Sequence, residues 1–256
     1  MSPEQFAAAV AVGVFAGGLL GLALKHVLPE VHTTGPSRDM IGAVVGLLTL
    51  LCALVTGLLV WTAYGVYAGQ NTAIQTLASK TLQLDLALQD FGPETKLDRT
   101  ALRDRVAKAI DEVWGTHTTN AAFAADNFAA GVKFMSDPEK ALGHLQPATD
   151  EQRQALVTAK STLESIEQSR LQMSFALSAP ISYPVLLTVV GWVFFLFCGF
   201  GLMSKSGPMP VIALAVAAIA VGSAVLLILD LSNPYLGAIR ASPAPLEQVL
   251  AIMGRE

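Results

Sequence analysis

Four stretches of the chain are apolar on every side of a helix, with no polar face left for water. They are Phe6–Leu24, Met40–Ala68, Pro184–Met203 and Val211–Leu229. A helix apolar all round lies inside a large core or in lipid, and about 20 such residues cross the hydrocarbon of a bilayer. Between the second and third stretches the pattern changes. Ile74, Leu77, Thr81, Leu84, Leu88 and Phe91 follow a three-and-four spacing on a polar background, one buried stripe on a helix that continues from the second span. Gly92-Pro93 stops it. Leu102, Val106, Ala109, Ile110 and Val113 predict a second helix of this insert, and the Ala- and Phe-rich stretch Asn120–Met135 a third. Ser136-Asp137-Pro138 reads as the cap of a short helix. Thr149 to Gln152 reads as a capping box opening a long helix with Leu156, Ala159, Leu163 and Ile166 on one side. No alternating β pattern of useful length occurs.

The predicted class is therefore all-α: a polytopic membrane protein with four transmembrane helices and a helical soluble insert between helices 2 and 3. The segments are 1–68 (helices 1 and 2), 69–179 (insert), 180–230 (helices 3 and 4) and 231–256, a tail with a short amphipathic piece, Leu246–Met253. The opening Met1-Ser2-Pro3-Glu4-Gln5 lacks the Lys or Arg of a secretory signal, and the first apolar run exceeds the ~7–15 residues of a signal core, so a retained helix is expected.

Charge sharpens this division. Only 14% of residues are charged, against about 25% in soluble domains, and residues 69–175 hold 11 of the 16 Lys+Arg and 14 of the 20 Asp+Glu. With a net charge of −4 and no basic run, nucleic acid is not an expected partner; the lipid bilayer is. Four spans place both termini and the insert on one side. The positive-inside rule does not say which, because Lys80, Arg170 and Arg240 balance Lys25, Arg38 and Lys205.

Candidate chemistry is sparse. Ala9, Gly13, Gly17 and Gly21 form a small-residue ridge, four apart, that lets helices approach closely, within one chain or between subunits. Span two carries Gly42, Gly46, Thr49, Ala53, Thr56 and Ala63, a stripe suited to packing or to lining a narrow wet path. Asp230 is an acid at the edge of an apolar span, either functional or a helix-end residue meeting headgroups. His26, Glu30 and His32 share a loop but lack a fourth ligand, His117 and His144 are isolated, and Cys52 and Cys198 read as small apolar groups, so no metal or other cofactor is expected. No phosphate loop, nucleophile elbow or H-E-x-x-H motif occurs, and the reading is of a non-enzyme.

Several stretches together carry a resemblance: Gly69-Gln70-Asn71, Leu77-Ala78-Ser79-Lys80, Leu84-Asp85, Phe91-Gly92-Pro93-Glu94, Arg170-Leu171, Phe200-Gly201-Leu202, Leu229-Asp230, Asn233-Pro234-Tyr235-Leu236-Gly237 and Ser242-Pro243-Ala244-Pro245-Leu246. In this order they resemble the bestrophin-like membrane proteins of bacteria and plants. The resemblance implies a remote likeness to bestrophins, oligomeric anion channels with a large cytosolic helical region between their second and third spans. It therefore implies a homo-oligomer in the bacterial inner (plasma) membrane, an insert and termini in the cytosol, an inorganic anion as partner, and helix 2 lining the pore. The pore-lining candidates Gly46, Thr49, Ala53, Thr56 and Ala63 come from the small stripe of span two itself, and no pore or calcium residue is carried over from the family. A second reading is a membrane-anchored scaffold or sensor whose insert binds a protein partner.

Overall fold

The sequence shows no alternating pattern, and the computed structural model, which describes residues 2–28, 35–115, 142–178, 183–204, 207–235 and 239–254, consists of helices and their connections, with no strand among the described residues. Among the described residues seven α-helices follow in order: α1 (Pro3–Val27), α2 (Pro36–Phe91), α3 (Lys96–Trp114), α4 (Asp150–Ser178), α5 (Tyr183–Met203), α6 (Pro208–Ser232) and α7 (Ala244–Met253). Four are long and apolar enough to cross a membrane: α1, α2, Pro184–Met203 of α5, and α6. The protein is an integral membrane protein. The third insert helix expected at Asn120–Met135, the cap at Ser136, and Glu30, His32 and His117 lie outside the described residues.

The chain forms two compact units, 1–65 with 181–232 and 66–180 with 233–256. In the first, α1 packs on α5 and α6. Glycine permits this because backbone meets backbone. A Cβ on Gly21 would strike the Cys198 carbonyl, and one on Gly201 the Gly18 carbonyl. At Gly17 it would come within 2.8 Å of Phe194, and at Gly222 within 2.9 Å of Ala11. Where lipid supplies no hydrophobic drive between helices, such closeness supplies the dispersion contact that does. Ser2 and Gln5 form a reciprocal capping box at the start of α1, and Lys25 Nζ donates to the Ser204 carbonyl at 2.5 Å.

The second unit is an ordinary apolar core made from a discontinuous chain. Ile74, Leu84 and Phe91 of α2 meet Leu102 of α3, Leu163 of α4 and Leu246 of α7 in one cluster. Of the expected stripes, Ile74, Leu77, Thr81, Leu84, Leu88 and Phe91 are all buried, as are Leu102 and Val113 of α3 and Ala159, Leu163 and Ile166 of α4, whereas Val106, Ile110 and Leu156 are half-buried against the same core. Gly92 turns the chain at φ 129°, a value that favours glycine, and a 3-10 turn, Pro93–Thr95, follows. Thr95 Oγ1 lies 2.5 Å from the Leu88 carbonyl and 2.8 Å from that of Gly92. Gln152 Nε2 donates to the Phe91 carbonyl at 3.0 Å. The carbonyls that α2 leaves open at its C-terminus are thus taken up by side chains. The box at Thr149 forms with a shift: Thr149 Oγ1 accepts from Gln152 N–H, but Gln152 Oε1 accepts from Ala148 N–H rather than from that of Thr149.

Candidate functional site

Helix α2 has 56 residues, about 84 Å at 1.5 Å per residue, against about 30 Å of bilayer hydrocarbon. Its two sides differ. Val45, Cys52, Leu59 and Ala63 are buried, and the series continues seven apart through Gln70, Leu77, Leu84 and Phe91. The opposite side is exposed: Leu51, Leu58, Gly65, Thr72 and Ser79, also seven apart, pass from leucine to hydroxyl. Leucine is stable there only in lipid and hydroxyl is best placed in water, so the medium changes along this helix between Trp61 and Thr72. Of the four apolar helices α2 is the least covered, with 17% of its most apolar stretch buried against 28–33% for the others.

The expected pore candidates do not share one side, since Ala63 belongs to the buried one and the others stand beside it. Gly46, Thr49 and Ala53 are exposed, Thr56 is half-buried and Ala63 is fully buried. Thr49 Oγ1 donates to the Val45 carbonyl at 2.8 Å, which satisfies its hydrogen within the helix and leaves its oxygen able to accept. In the α1 ridge, Gly17 and Gly21 pack within the chain, whereas Ala9 is exposed and a Cβ on Gly13 would meet nothing within 4 Å. Asp230 is buried at the end of α6 and interacts with its surroundings. Among the described residues, no group of three or more His, Cys, Asp or Glu could hold a metal.

The second unit holds polar groups that periodicity alone does not single out. Gln70 sits on the apolar stripe of α2 and is buried. Its Nε2 donates to the Met173 carbonyl at 3.2 Å and its Oε1 accepts from Tyr235 Oη at 2.9 Å. The Tyr235 ring meets Trp114 edge-on at 5.8 Å, and Trp114 Nε1 donates to the Ala241 carbonyl at 2.7 Å. Burial pushes the Tyr235 phenol up from its ordinary value, so it stays a proton donor at neutral pH. One amide thereby ties α2, α4 and the tail together. The legible signal was a polar residue at a stripe position.

Tyr235→Phe removes the donor to Gln70 Oε1. Leaving that acceptor buried and unmade is expected to destabilise the protein by about 1–3 kcal/mol. In thermal denaturation of detergent-purified protein, the added Gln70→Leu change should cost less in the Tyr235→Phe background than alone. Purely additive effects would show that the pair is not coupled.

Asp85 and Arg99 form a second buried polar contact. Arg99 Nε and Nη2 donate to the two Asp85 carboxylate oxygens at 2.8 and 2.9 Å. A third charged group, Arg170, lies on the inner side of α4 between Ile166 and Met173. Burial lowers its guanidinium from the ordinary value; nearby Glu167 opposes this, and Arg105 adds to it. His144 Nε2 lies 3.2 Å from Asp98 Oδ2 at the surface.

These features define a class: a four-span helical membrane protein whose second helix runs unbroken into a helical soluble unit. A family model for the Bestrophin-like domain matches residues 12–246, nearly the whole chain. The chain belongs to the bestrophin-like family. No curated protein and no solved structure matches it.

Proposed function

We propose that the protein is an oligomeric channel for inorganic anions, with α2 of each copy lining the conduction path. The observation that carries this reading is the sparse cover of α2, the least buried of the four apolar helices, in a chain of the bestrophin-like family. A ring of copies would place one side of each α2 on the axis, and the exposed Gly46, Thr49 and Ala53 stand on a side small enough to leave an opening. On this reading the insert and termini face the cytosol of a bacterium, the membrane is the inner one, and the protein is a conduit rather than a catalyst.

Purified protein in liposomes tests this directly. Chloride efflux down its gradient is expected, with potassium passing far less; absence of flux across varied ions, voltage and pH would remove the reading. In a background with Cys52 and Cys198 replaced by alanine, Thr49→Cys is expected to lose most of its flux on treatment with a charged thiosulfonate, and Leu54→Cys to lose little. The reverse order would turn the other side of α2 to the axis. A second reading, a membrane-anchored scaffold or sensor, is favoured by the polar side of α2, where Thr72, Ser79 and Gln83 are exposed and Thr76 is half-buried. Crosslinking in native membranes that recovers only copies of this chain would argue against it.

A further inference from the structure

The exposed side of α4 changes character along its length. Ser161, Glu164 and Gln168 are exposed at three-and-four spacing, and the same side continues with Leu171, 45% exposed, and Phe175, 71% exposed. A single exposed apolar side chain is ordinary on a soluble surface. Val157 is one, set among Arg153, Gln154, Lys160 and Ser161. Leu171 and Phe175 differ because they are neighbours, four apart on one side of the helix, and stand at its C-terminal end.

Two hydrogen bonds fix the level of this pair. Gln152 Nε2 donates to the Phe91 carbonyl at 3.0 Å, and Gln70 Nε2 to the Met173 carbonyl at 3.2 Å. These ties are the same number of residues apart on each helix, so α2 and α4 run antiparallel and in register. Leu171 is then level with Thr72, and Phe175 with Ala68. The exposed side of α2 turns from apolar to hydroxyl in that same interval, Trp61 to Thr72. Two helices of opposite direction and unrelated sequence thus change from polar to apolar at one level, and a single boundary between water and lipid accounts for both. Chain connectivity agrees. Only residues 179–182 separate α4 from α5, whose Pro184–Met203 is long and apolar enough to cross a membrane. A chain extends at most about 3.6 Å per residue, so the end of α4 stays close to the bilayer.

We propose that the Leu171–Phe175 side of α4 is a lipid-contact surface, by which the soluble unit rests in the headgroup and upper acyl region of the bilayer with Phe175 among the chains. This part of α4 is no span. It is a second hold on the membrane, made by the unit that otherwise stands in water.

Spin labels on the full-length protein in phosphatidylcholine nanodiscs test the surface. In a background with Cys52→Ala and Cys198→Ala, a nitroxide at Phe175→Cys is expected to collide more with oxygen, which concentrates among acyl chains, than with a nickel chelate, which stays in water. At Gln168→Cys the order should reverse, and Leu171→Cys should fall between the two. Phe175 is exposed, so its replacement spares the core. If that variant still fails to fold, the shift toward oxygen from Gln168→Cys to Leu171→Cys carries the same test. Nickel access at Phe175 equal to that at Gln168 would overturn the proposal and place this side in water. Low collision with both reagents would also overturn it, and would give the surface to protein, a second copy included. The readout needs no ion flux, so it stands or falls apart from the channel reading.

Discussion

Arg99→Ala is expected to cost about 3 kcal/mol of stability, among the largest effects available in this chain. Breaking a buried ion pair by removing one partner costs about 3–5 kcal/mol, because the remaining charge loses its compensation without regaining water. Asp85 would be that remaining charge, with 4% of its side chain exposed. Arg99 keeps 21% of its own side chain exposed, which places the effect at the low end of the range. Arg99→Lys should recover only part, since an ammonium cannot reproduce the paired bonds at 2.8 and 2.9 Å. Asp85→Leu with Arg99→Met should be milder than Arg99→Ala alone. The check is denaturant unfolding of the purified protein, with Lys108→Ala as reference. Lys108 and Glu112 are exposed and 3.8 Å apart, so that change should stay within about 0.5 kcal/mol. An Arg99→Ala cost as small as the reference would mean that the pair does not hold the insert.

Gly21→Leu is expected to disrupt the first unit by a comparable amount. Overpacking a well-filled contact costs about 1–3 kcal/mol, and flexible side chains usually absorb part of it. Here the obstacle is the Cys198 backbone, which cannot rotate away, so the upper end, about 3 kcal/mol, applies. Gly13→Leu, about two turns before Gly21 on the same ridge, meets open space and should leave the chain's own packing within about 0.5 kcal/mol. Thermal melting separates the two. Size-exclusion chromatography adds a second readout, because Gly13→Leu that folds but runs as a smaller particle would assign this half of the ridge to contacts between copies. Equal melting temperatures for the two variants would show that the close α1–α5 approach is not what stabilises the unit.

The fold was legible where one signal dominated. Uniform apolarity marks α1, α2, α5 and α6, because lipid imposes a single requirement over about 20 residues. Periodicity marks the α2 extension through Phe91 and the inner side of α4, because a soluble helix must bury one stripe. The candidate site was harder to read. Gln70, Asp85 and Arg99 act through partners 165, 14 and 14 residues away, and local pattern carries no record of a distant partner. The ridge in α1 shows the same limit: four small residues spaced alike divide into two that pack within the chain and two that do not, and only the position of α5 separates them. Trp114 gave no hint that its indole would reach Ala241 in the tail.

The discontinuous make-up of the soluble unit sets an order of events during synthesis. Tyr235, Ala241, Leu246, Val249 and Met253 belong to its core, yet the ribosome makes them after both α5 and α6. Until then Gln70 has no phenol to accept from, and the inner side of α2 lacks part of its cover. The nascent chain therefore passes through a stage at which its last two spans are already made while its water-exposed part is still unfinished. A chaperone or protease that recognises bare apolar surface has its opportunity in that interval, and a chain stopped after Ser232 would remain in it.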